Sequence, residues 1–193
     1  MKHCGTKTLE TNRLILRRYT LNDAEAMYKN YASSEEVVKF LNFPVHTNVE
    51  VSKSVIQEWI DSYEKDSSYI WAIVLKENGP EPIGTISVVE QNEGVGMVNI
   101  GYSIGEKWWH QGITSEALHE VMRFFFEVVE VNRVELCHDP NNPHSGGVMR
   151  KCGLKYEGTL RRVGMNNQGI CDSCYYGMLR EEWNDEKIGR SDK

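Results

Sequence analysis

The chain has 193 residues, of which 40% are hydrophobic and 26% charged, and its formal net charge is -6. This length and composition are typical of one globular domain with a sizeable buried core. The acidic balance argues against a protein that binds nucleic acid through a basic surface, and no window approaches the ~20 apolar residues of a membrane span. We therefore expect a cytoplasmic monomer or homodimer with one domain over residues 9–184, between polar termini at 1–8 and 185–193.

The five cysteines are scattered along the chain, which favours reduced thiols over a disulfide framework. Cys171 and Cys174 form a C-x-x-C pair, a spacing that can hold zinc or carry out redox chemistry. Residues three apart on a strand point to opposite faces, so the two sulfurs would not share one ion. We expect no metal site.

The first third of the chain predicts a short strand followed by helices. Cap residues and an apolar stripe at helical spacing indicate the helices. The expected elements are a strand at 14–18, a helix over 24–31 capped by Asn22 or Asp23, a helical region after 33–35, and a helix over 49–64.

From Tyr69 the pattern changes to strands separated by turn residues, which predicts an antiparallel meander at 69–75, 83–89 and 97–104. A helix over 114–130 follows, and Phe124, Phe126 and Val128 widen its apolar face. The strand after it, 134–138, is expected to pair in parallel because the helix forms a crossover. The last elements are expected to be a helix capped by Asn142 and ended by Gly153, then a hairpin over 155–163 and 170–179 that turns at 166–169.

The stretch from Asn99 to Leu118 carries most of the functional information. It runs from an apolar strand through a glycine-containing loop into the start of the long helix. The free N–H groups of a helix's first turn and the positive end of its dipole attract an anion without a basic side chain. Gly112 has no Cβ, so the backbone can approach a ligand closely, although the same glycine could simply make a tight turn.

Six motifs follow one another along the chain: 11-TNRLILR-17, 83-IGTI-86, 100-IGYSI-104, 108-WWHQGITSEA-117, 142-NxxS-145 and 151-KCGLxxEG-158. In this order they resemble the GCN5-related N-acetyltransferase (GNAT) superfamily, and in particular its ribosomal-protein-alanine and ribosomal-protein-serine N-acetyltransferases. The resemblance implies an α/β fold with a mostly antiparallel sheet, flanked by helices and splayed between its fourth and fifth strands, here 97–104 and 134–138. It also implies acetyl-CoA as cosubstrate, and a protein N-terminus as the acceptor amine.

The resemblance further implies a coenzyme A site, with the pantetheine arm lying between the two splayed strands and the pyrophosphate at the helix start. The cofactor-binding residues are then expected to be Gly101, Ser103, Ile104, Trp109, His110, Gln111, Gly112, Ile113, Thr114, Ser115, Asn142 and Lys151. Tyr102 or Ser103 would donate to the thioester carbonyl, as in an oxyanion hole, and Ser145 would donate to the departing thiolate. By position alone, Asn142 could equally cap its own helix, and Ser145 could be an ordinary first-turn residue.

The chain departs from the superfamily pattern at several positions. Met149 stands where many members have a tyrosine general acid, and Asn99 and Gly164 stand where relatives carry glutamates. The candidates for the general base are therefore Glu90, His138, Glu157, Asp172 and water. An α-amino group has a pKa of about 7.7–8.0 and is partly neutral near pH 7, so it needs little more than a proton relay.

Two alternatives stay open. The chain could acetylate a small amine such as a polyamine or an antibiotic, or it could bind acyl-CoA without catalysis. We expect the acceptor to be chosen by the loops around 40–49 and 164–169, whose sequences contain no recognisable code for it.

Overall fold

A computed structural model describes residues 1–184, in which eight strands form one mixed sheet. The strands are β1 (Leu9–Glu10), β2 (Leu14–Arg17), β3 (Ile70–Leu75), β4 (Pro82–Asn92), β5 (Met97–Ile104), β6 (Arg133–His138), β7 (Lys155–Asn166) and β8 (Gly169–Leu179). Their order across the sheet is β1-β2-β3-β4-β5-β6-β8-β7. β5 and β6 pair in parallel and the other neighbours are antiparallel, so the expected α/β fold and its crossover are confirmed.

The helices are α1 (Ala24–Met27), α2 (Glu35–Val38), α3 (Val49–Ser62), α4 (Ile113–Phe124) and α5 (Pro143–Lys151). Single π-helical turns extend α1 and α4, and a 3-10 turn over Leu21–Asp23 precedes α1. The first helical segment therefore begins earlier than the sequence predicts. The Asp23 carboxylate accepts from the Thr20 backbone N–H at 2.8 Å, so it bonds back towards the start of this segment rather than forward into α1.

The sheet buries both of its faces. The α4 and α5 side holds the larger apolar cluster, in which Trp71, Ile86 and Phe125 are fully buried. On the opposite face α1 and α3 cover a smaller cluster, where the Tyr19 hydroxyl lies 2.7 Å from that of Tyr31. Burial of these two faces positions the ends of β5 and β6 between two layers of helices.

Two segments at the edge of the core differ from expectation. Residues 1–8 are polar in sequence, but Thr6 is only 2% exposed and donates to the Ser68 carbonyl at 2.9 Å, so this segment packs on the domain. Val128 is 45% exposed and does not widen the apolar face of α4, whereas Phe124 and Phe126 do. Val128 lies in the π-helical turn, and the extra residue of such a turn shifts the helical phase.

The feature that positions the site is the separation of β5 from β6. Their parallel pairing covers Met97–Asn99 and Arg133–Glu135 and ends at the pair of Asn99 with Glu135. Beyond that pair, residues 100–104 keep their pairing with β4 but have none with β6. This opening, which we call the strand gap, confirms the expected splayed sheet.

Candidate active site

The start of α4 lies directly beyond the strand gap. Gly112 is the N-cap residue and has a left-handed backbone, with φ 74°. Its carbonyl accepts the first intrahelical hydrogen bond, from Glu116 N at 3.0 Å. The N–H groups of Ile113, Thr114 and Ser115 therefore have no acceptor within the helix, and the helix dipole adds to their attraction for an anion.

Two cationic side chains lie beside this helix start. The Lys151 Nζ lies 3.3 Å from the position that a Cβ on Gly112 would take, and the Arg13 guanidinium lies 3.8 Å from it. Glu116 holds Arg13 in place through a 2.7 Å ion pair. Partial burial opposes ionisation of Glu116, but hydrogen bonds from Thr11 and Arg13 lower its pKa overall. The free N–H groups, Lys151 and Arg13 form a cradle that fits a pyrophosphate, and we call it the anion cradle.

The strand gap itself offers an unpaired strand edge. A Cβ on Gly101 would lie 2.9 Å from the Val89 side chain at the β-bulge of β4 between Val88 and Glu90, so a larger residue there would have to displace Val89. Ser103 is 6% exposed, and its hydroxyl has no hydrogen-bond partner among residues 1–184. An extended arm with amide groups could occupy this edge as another strand would.

Tyr102 and Ser145 meet on the α5 side of the gap. The Tyr102 hydroxyl lies 3.0 Å from the Ser145 hydroxyl and donates to the Ser145 carbonyl, also at 3.0 Å. Burial raises the pKa of Tyr102, so its phenol stays protonated at neutral pH. Asn142 caps α5 by accepting from Ser145 N at a long 3.4 Å. Ser103 faces the other side of β5, so only Tyr102 of the two expected donors is beside Ser145.

Comparison with known proteins agrees with this geometry. A family model described as an acetyltransferase (GNAT) domain matches residues 13–155. The chain belongs to the GNAT acetyltransferase family. It is 29% identical to an uncharacterized N-acetyltransferase, p20, of Bacillus licheniformis, over 92% of this chain and 98% of that protein. It is 27% identical to the ribosomal protein uS5-alanine N-acetyltransferase of Escherichia coli (strain K12), over 78% of this chain and 79% of that protein.

The fold of this acetyltransferase is also found in solved structures. RimL, a ribosomal L7/L12 α-N-protein acetyltransferase in complex with coenzyme A, superposes with a TM-score of 0.80 at 19% identity, over 91% of this chain and 99% of that one. The family resemblance inferred from the motifs is thus confirmed. The chain is an N-acetyltransferase, and acetyl-CoA is its cosubstrate.

The loop between β5 and α4 is held by its own side chains. The Trp109 indole N–H donates to the Ile104 carbonyl at 2.8 Å, and the Gln111 side chain donates to the Lys107 carbonyl at 2.8 Å. His110 has a left-handed φ of 60°, and its ring lies 4.9 Å from that of His144. These contacts fix the loop that leads into the anion cradle. A direct contact of Trp109, His110 or Gln111 with coenzyme A stays a prediction.

Two of the candidate bases are engaged elsewhere, and a third, His138, is held through one ring nitrogen. Glu157 forms an ion pair with Arg133 at 2.7 Å, and this hydrogen bond lowers the pKa of its carboxyl. Asp172 accepts from Arg162 N at 2.9 Å within the exposed β7–β8 hairpin. His138 donates through Nδ1 to the Asp139 carbonyl at 2.8 Å, because a carbonyl can only accept. Its buried Nε2 faces Gly146 on α5 and has no partner in the described part of the chain.

Glu90 lies at the closed end of the strand gap. Beside it the structure places a second carboxylate, that of Glu135, which sequence reasoning missed. Glu90 pairs with Asn99 across β4 and β5, and Asn99 pairs with Glu135 across β5 and β6. Residues directly opposite on neighbouring strands share a face, so the three side chains form one row. Glu135 accepts from Asn99 Nδ2 at 3.4 Å and forms a 2.9 Å ion pair with Arg133. Position 99 has an asparagine where relatives carry a glutamate, and Glu135 on the neighbouring strand β6 places a carboxylate beside it.

The departures at Met149 and Gly164 have structural reasons. Met149 is 1% exposed and belongs to the main apolar cluster, so its side chain packs α5 onto the core. A thioether cannot donate a proton, so this position does not replace the tyrosine acid of other members. A Cβ on Gly164 would lie 2.7 Å from the Ser173 hydroxyl and 3.0 Å from the Cys171 sulfur. A side chain at position 164 would therefore have to displace the side chains of Ser173 and Cys171.

Across residues 1–184 no group of three or more His, Cys, Asp or Glu side chains is placed to hold a metal ion. None of the five cysteines, all of which lie within residues 1–184, forms a disulfide. Asn166 donates to the Cys171 sulfur at 3.4 Å, whereas Cys174 lies 3.1 Å from the Thr159 hydroxyl, so the two sulfurs of the C-x-x-C pair have separate partners. None of the helices described is both long and apolar enough to cross a membrane.

Proposed function

We propose that this acetyltransferase modifies the N-terminal α-amine of a protein in the cytoplasm. The observation that carries the proposal is the Tyr102–Ser145 pair beside the strand gap, with the anion cradle at the gap's open end. Two of the similar proteins are named for acetylating ribosomal proteins, at the alanine of uS5 and at the α-amine of L7/L12. A comparable acceptor is therefore the first choice for this chain.

The residues of the cradle and the gap divide the binding of coenzyme A between them. Acetyl-CoA, when bound, supplies an acetyl thioester. The first-turn N–H groups of α4 with Lys151 and Arg13 would hold the pyrophosphate. The free edge of β5 at residues 100–104 would bind the pantetheine amides through main-chain hydrogen bonds, which places the reacting carbon near Tyr102.

The Tyr102–Ser145 pair provides a hydrogen bond for the leaving group. Tyr102 gives its only hydroxyl hydrogen to the Ser145 carbonyl, so in the 3.0 Å contact between the two hydroxyls Ser145 is the donor. As the thiolate leaves, Ser145 turns this hydrogen bond from Tyr102 to the sulfur, while the Tyr102 hydroxyl stays bonded to the Ser145 carbonyl and holds the serine in position. Because burial raises the pKa of Tyr102, the pair stays protonated throughout the physiological range.

The row of Glu90, Asn99 and Glu135 binds the acceptor amine and accepts its proton. Two carboxylates attract the ammonium form of the acceptor. Arg133 already engages Glu135, as it does Glu157, so Glu90, which has no ion pair among residues 1–184, takes up the amine proton through water. An α-amine with a pKa of about 7.7–8.0 loses that proton readily, whereas a lysine amine at about 10.4 does not. This difference favours a protein N-terminus.

Thiol release from acetyl-CoA, measured across N-terminal peptides, polyamines and aminoglycosides, tests the proposal. We expect turnover on peptides. Ser145→Ala should lower kcat roughly 100-fold, the scale of one hydrogen-bond donor to a charge that develops in the transition state, while acetyl-CoA still raises the melting temperature. Ser54→Ala, on the exposed surface of α3, is the matched control and should keep full activity.

The other outcomes point to other functions. Turnover on polyamines or aminoglycosides alone would replace the protein acceptor with a small amine. Thermal stabilisation by acetyl-CoA without turnover on any amine would indicate a non-catalytic acyl-CoA-binding module and would overturn the proposal.

A further inference from the structure

Two exposed histidine rings meet where the loop after β5 comes close to the start of α5. The ring centroids of His110 and His144 lie 4.9 Å apart with 78° between the ring planes, which is the edge-to-face arrangement that aromatic rings favour. Both residues are exposed, so burial in the core does not explain the contact. We call this pair of rings the histidine clasp.

The backbone of His110 has a conformation that favours glycine. Its φ is 60°, in the left-handed region that is unfavourable for a residue with a Cβ. A glycine would relieve this strain, but it would also remove the ring that contacts His144. Strained backbone is found at ligand sites, where it holds a side chain in one place. The strain therefore points to a function for the His110 ring.

The histidine clasp joins the two walls of the strand gap at its open end. His110 belongs to the loop that leaves β5, and His144 is the second residue of α5, the helix that follows β6. α5 makes a second contact with the same wall, because the Lys151 Nζ lies 3.3 Å from the Cβ position of Gly112. His144 and Lys151 are seven residues apart, which is close to two helical turns, so they share one face of α5.

The space between these two contacts is open. Gly147 lies between them on the same face of α5. Apart from the backbone of the helix itself, a Cβ on Gly147 would meet only the Arg150 guanidinium, at 3.9 Å, among the described residues. A chain that runs from the anion cradle to the strand gap has room here, between the clasp on one side and Lys151 on the other. We call this space the passage.

We propose that the histidine clasp is a gate on the passage, which opens when acetyl-CoA enters and again when coenzyme A leaves. The inference holds for any acceptor amine, because it concerns only the exchange of the cosubstrate. A gate made of two protein side chains slows entry and departure by the same factor, so it changes both rate constants and leaves the Kd as it is. A ring that bound the coenzyme directly would instead lower the dissociation rate constant and the Kd together.

Stopped-flow measurement of coenzyme A binding and release tests the gate. His110→Gly removes one ring together with the backbone strain, and His144→Ala removes the other ring. Each should raise the association and dissociation rate constants roughly 2- to 12-fold, the range of one edge-to-face ring pair, with the Kd within about twofold of the wild type. The double variant should show no further rise, because either change alone opens the clasp. His144→Phe keeps a ring at this position and should restore the rates of the wild type.

His119→Ala is the matched control. The His119 ring, further along α4, lies 5.1 Å from that of Trp183, so this variant loses a similar ring contact and should keep the coenzyme A rates of the wild type. Unchanged rates in His110→Gly and His144→Ala, or a His144→Phe variant as fast as His144→Ala, would overturn the inference.

A third result would also overturn the gate. If the dissociation rate constant alone rose, with a higher Kd and additive effects in the double variant, each ring would bind the coenzyme by itself. None of these results bears on the proposed acceptor, because that is decided by turnover on peptides and not by the exchange rates of coenzyme A.

Discussion

Replacing Gly112 with alanine tests the anion cradle. Gly112 has a φ of 74°, and its new Cβ would lie 3.3 Å from the Lys151 ammonium. A left-handed conformation costs a residue with a Cβ about 1–2 kcal/mol. At about 2–4 °C per kcal/mol for a chain of this size, the melting temperature should fall by roughly 2–8 °C.

The same methyl group should also weaken coenzyme A binding. It displaces Lys151 and blocks the approach of an anion to the first-turn N–H groups of α4. The loss of one charge-assisted hydrogen bond, about 1.5–3 kcal/mol, corresponds to a Kd roughly 10–150 times higher. Titration calorimetry with coenzyme A measures this change directly.

Gly79→Ala separates backbone strain from ligand binding. Gly79 also has a positive φ, 88°, but nothing lies within 4 Å of its added Cβ, and the residue is in the turn between β3 and β4. Its ψ of -163° lies outside the left-handed helical region, so this variant should lose at least as much stability as Gly112→Ala and still bind coenzyme A as the wild type does. If Gly112→Ala bound coenzyme A as tightly as Gly79→Ala, the placement of the pyrophosphate at the start of α4 would be refuted.

Three further outcomes are expected. Tyr102→Phe should lower kcat with little change in the KM for acetyl-CoA, because Ser145 loses its hydroxyl partner; an unchanged kcat would remove Tyr102 from the mechanism. The rate of the wild type should rise as the acceptor amine loses its proton near pH 8. Burial raises the pKa of Tyr102, so the pH profile should show no step from this residue, and a step that disappears in Tyr102→Phe would contradict this reasoning. Met149→Ala should lower the free energy of unfolding by about 2–5 kcal/mol in urea titration, since the side chain is 1% exposed; a loss below about 1 kcal/mol would contradict its place in the core.

The ion pair between Arg133 and Glu157 gives a fourth, pH-dependent outcome. Arg133 lowers the pKa of Glu157 in the folded protein below the ordinary value of 4.5, so the pair stabilises the fold above that pH and loses its effect as the pH falls through the lowered value. The carboxylate is partly exposed, so the contribution should stay below about 1 kcal/mol and shrink in salt. Melting curves of Glu157→Gln against the wild type should converge in acid, and a difference that grows below pH 4 would contradict the assignment.

The local elements could be predicted because each depends on neighbours in sequence. Alternation and turn residues identified β3, β4 and β5, and the cap at Asn142 identified the start of α5. Predictions failed where the α-helical geometry gives way to a 3-10 or a π-helical turn. The 3-10 turn before α1 moved its start, and the π-helical turn after α4 rotated Val128 into solvent. These turns depend on packing that hydrophobic periodicity does not contain.

The sequence by itself determined the cosubstrate, because each of the six motifs that indicate it, from Thr11 to Gly158, consists of residues close together in the chain. It did not determine the rest of the site. Arg13 reaches the anion cradle only through the packing of the β2 side of the sheet on α4, and Glu135 stands beside Asn99 only through strand register. Asn167 contacts residues more than 120 positions earlier in the chain. Such contacts join segments whose sequences have no local relation, so the tertiary structure alone decided what surrounds the acceptor amine.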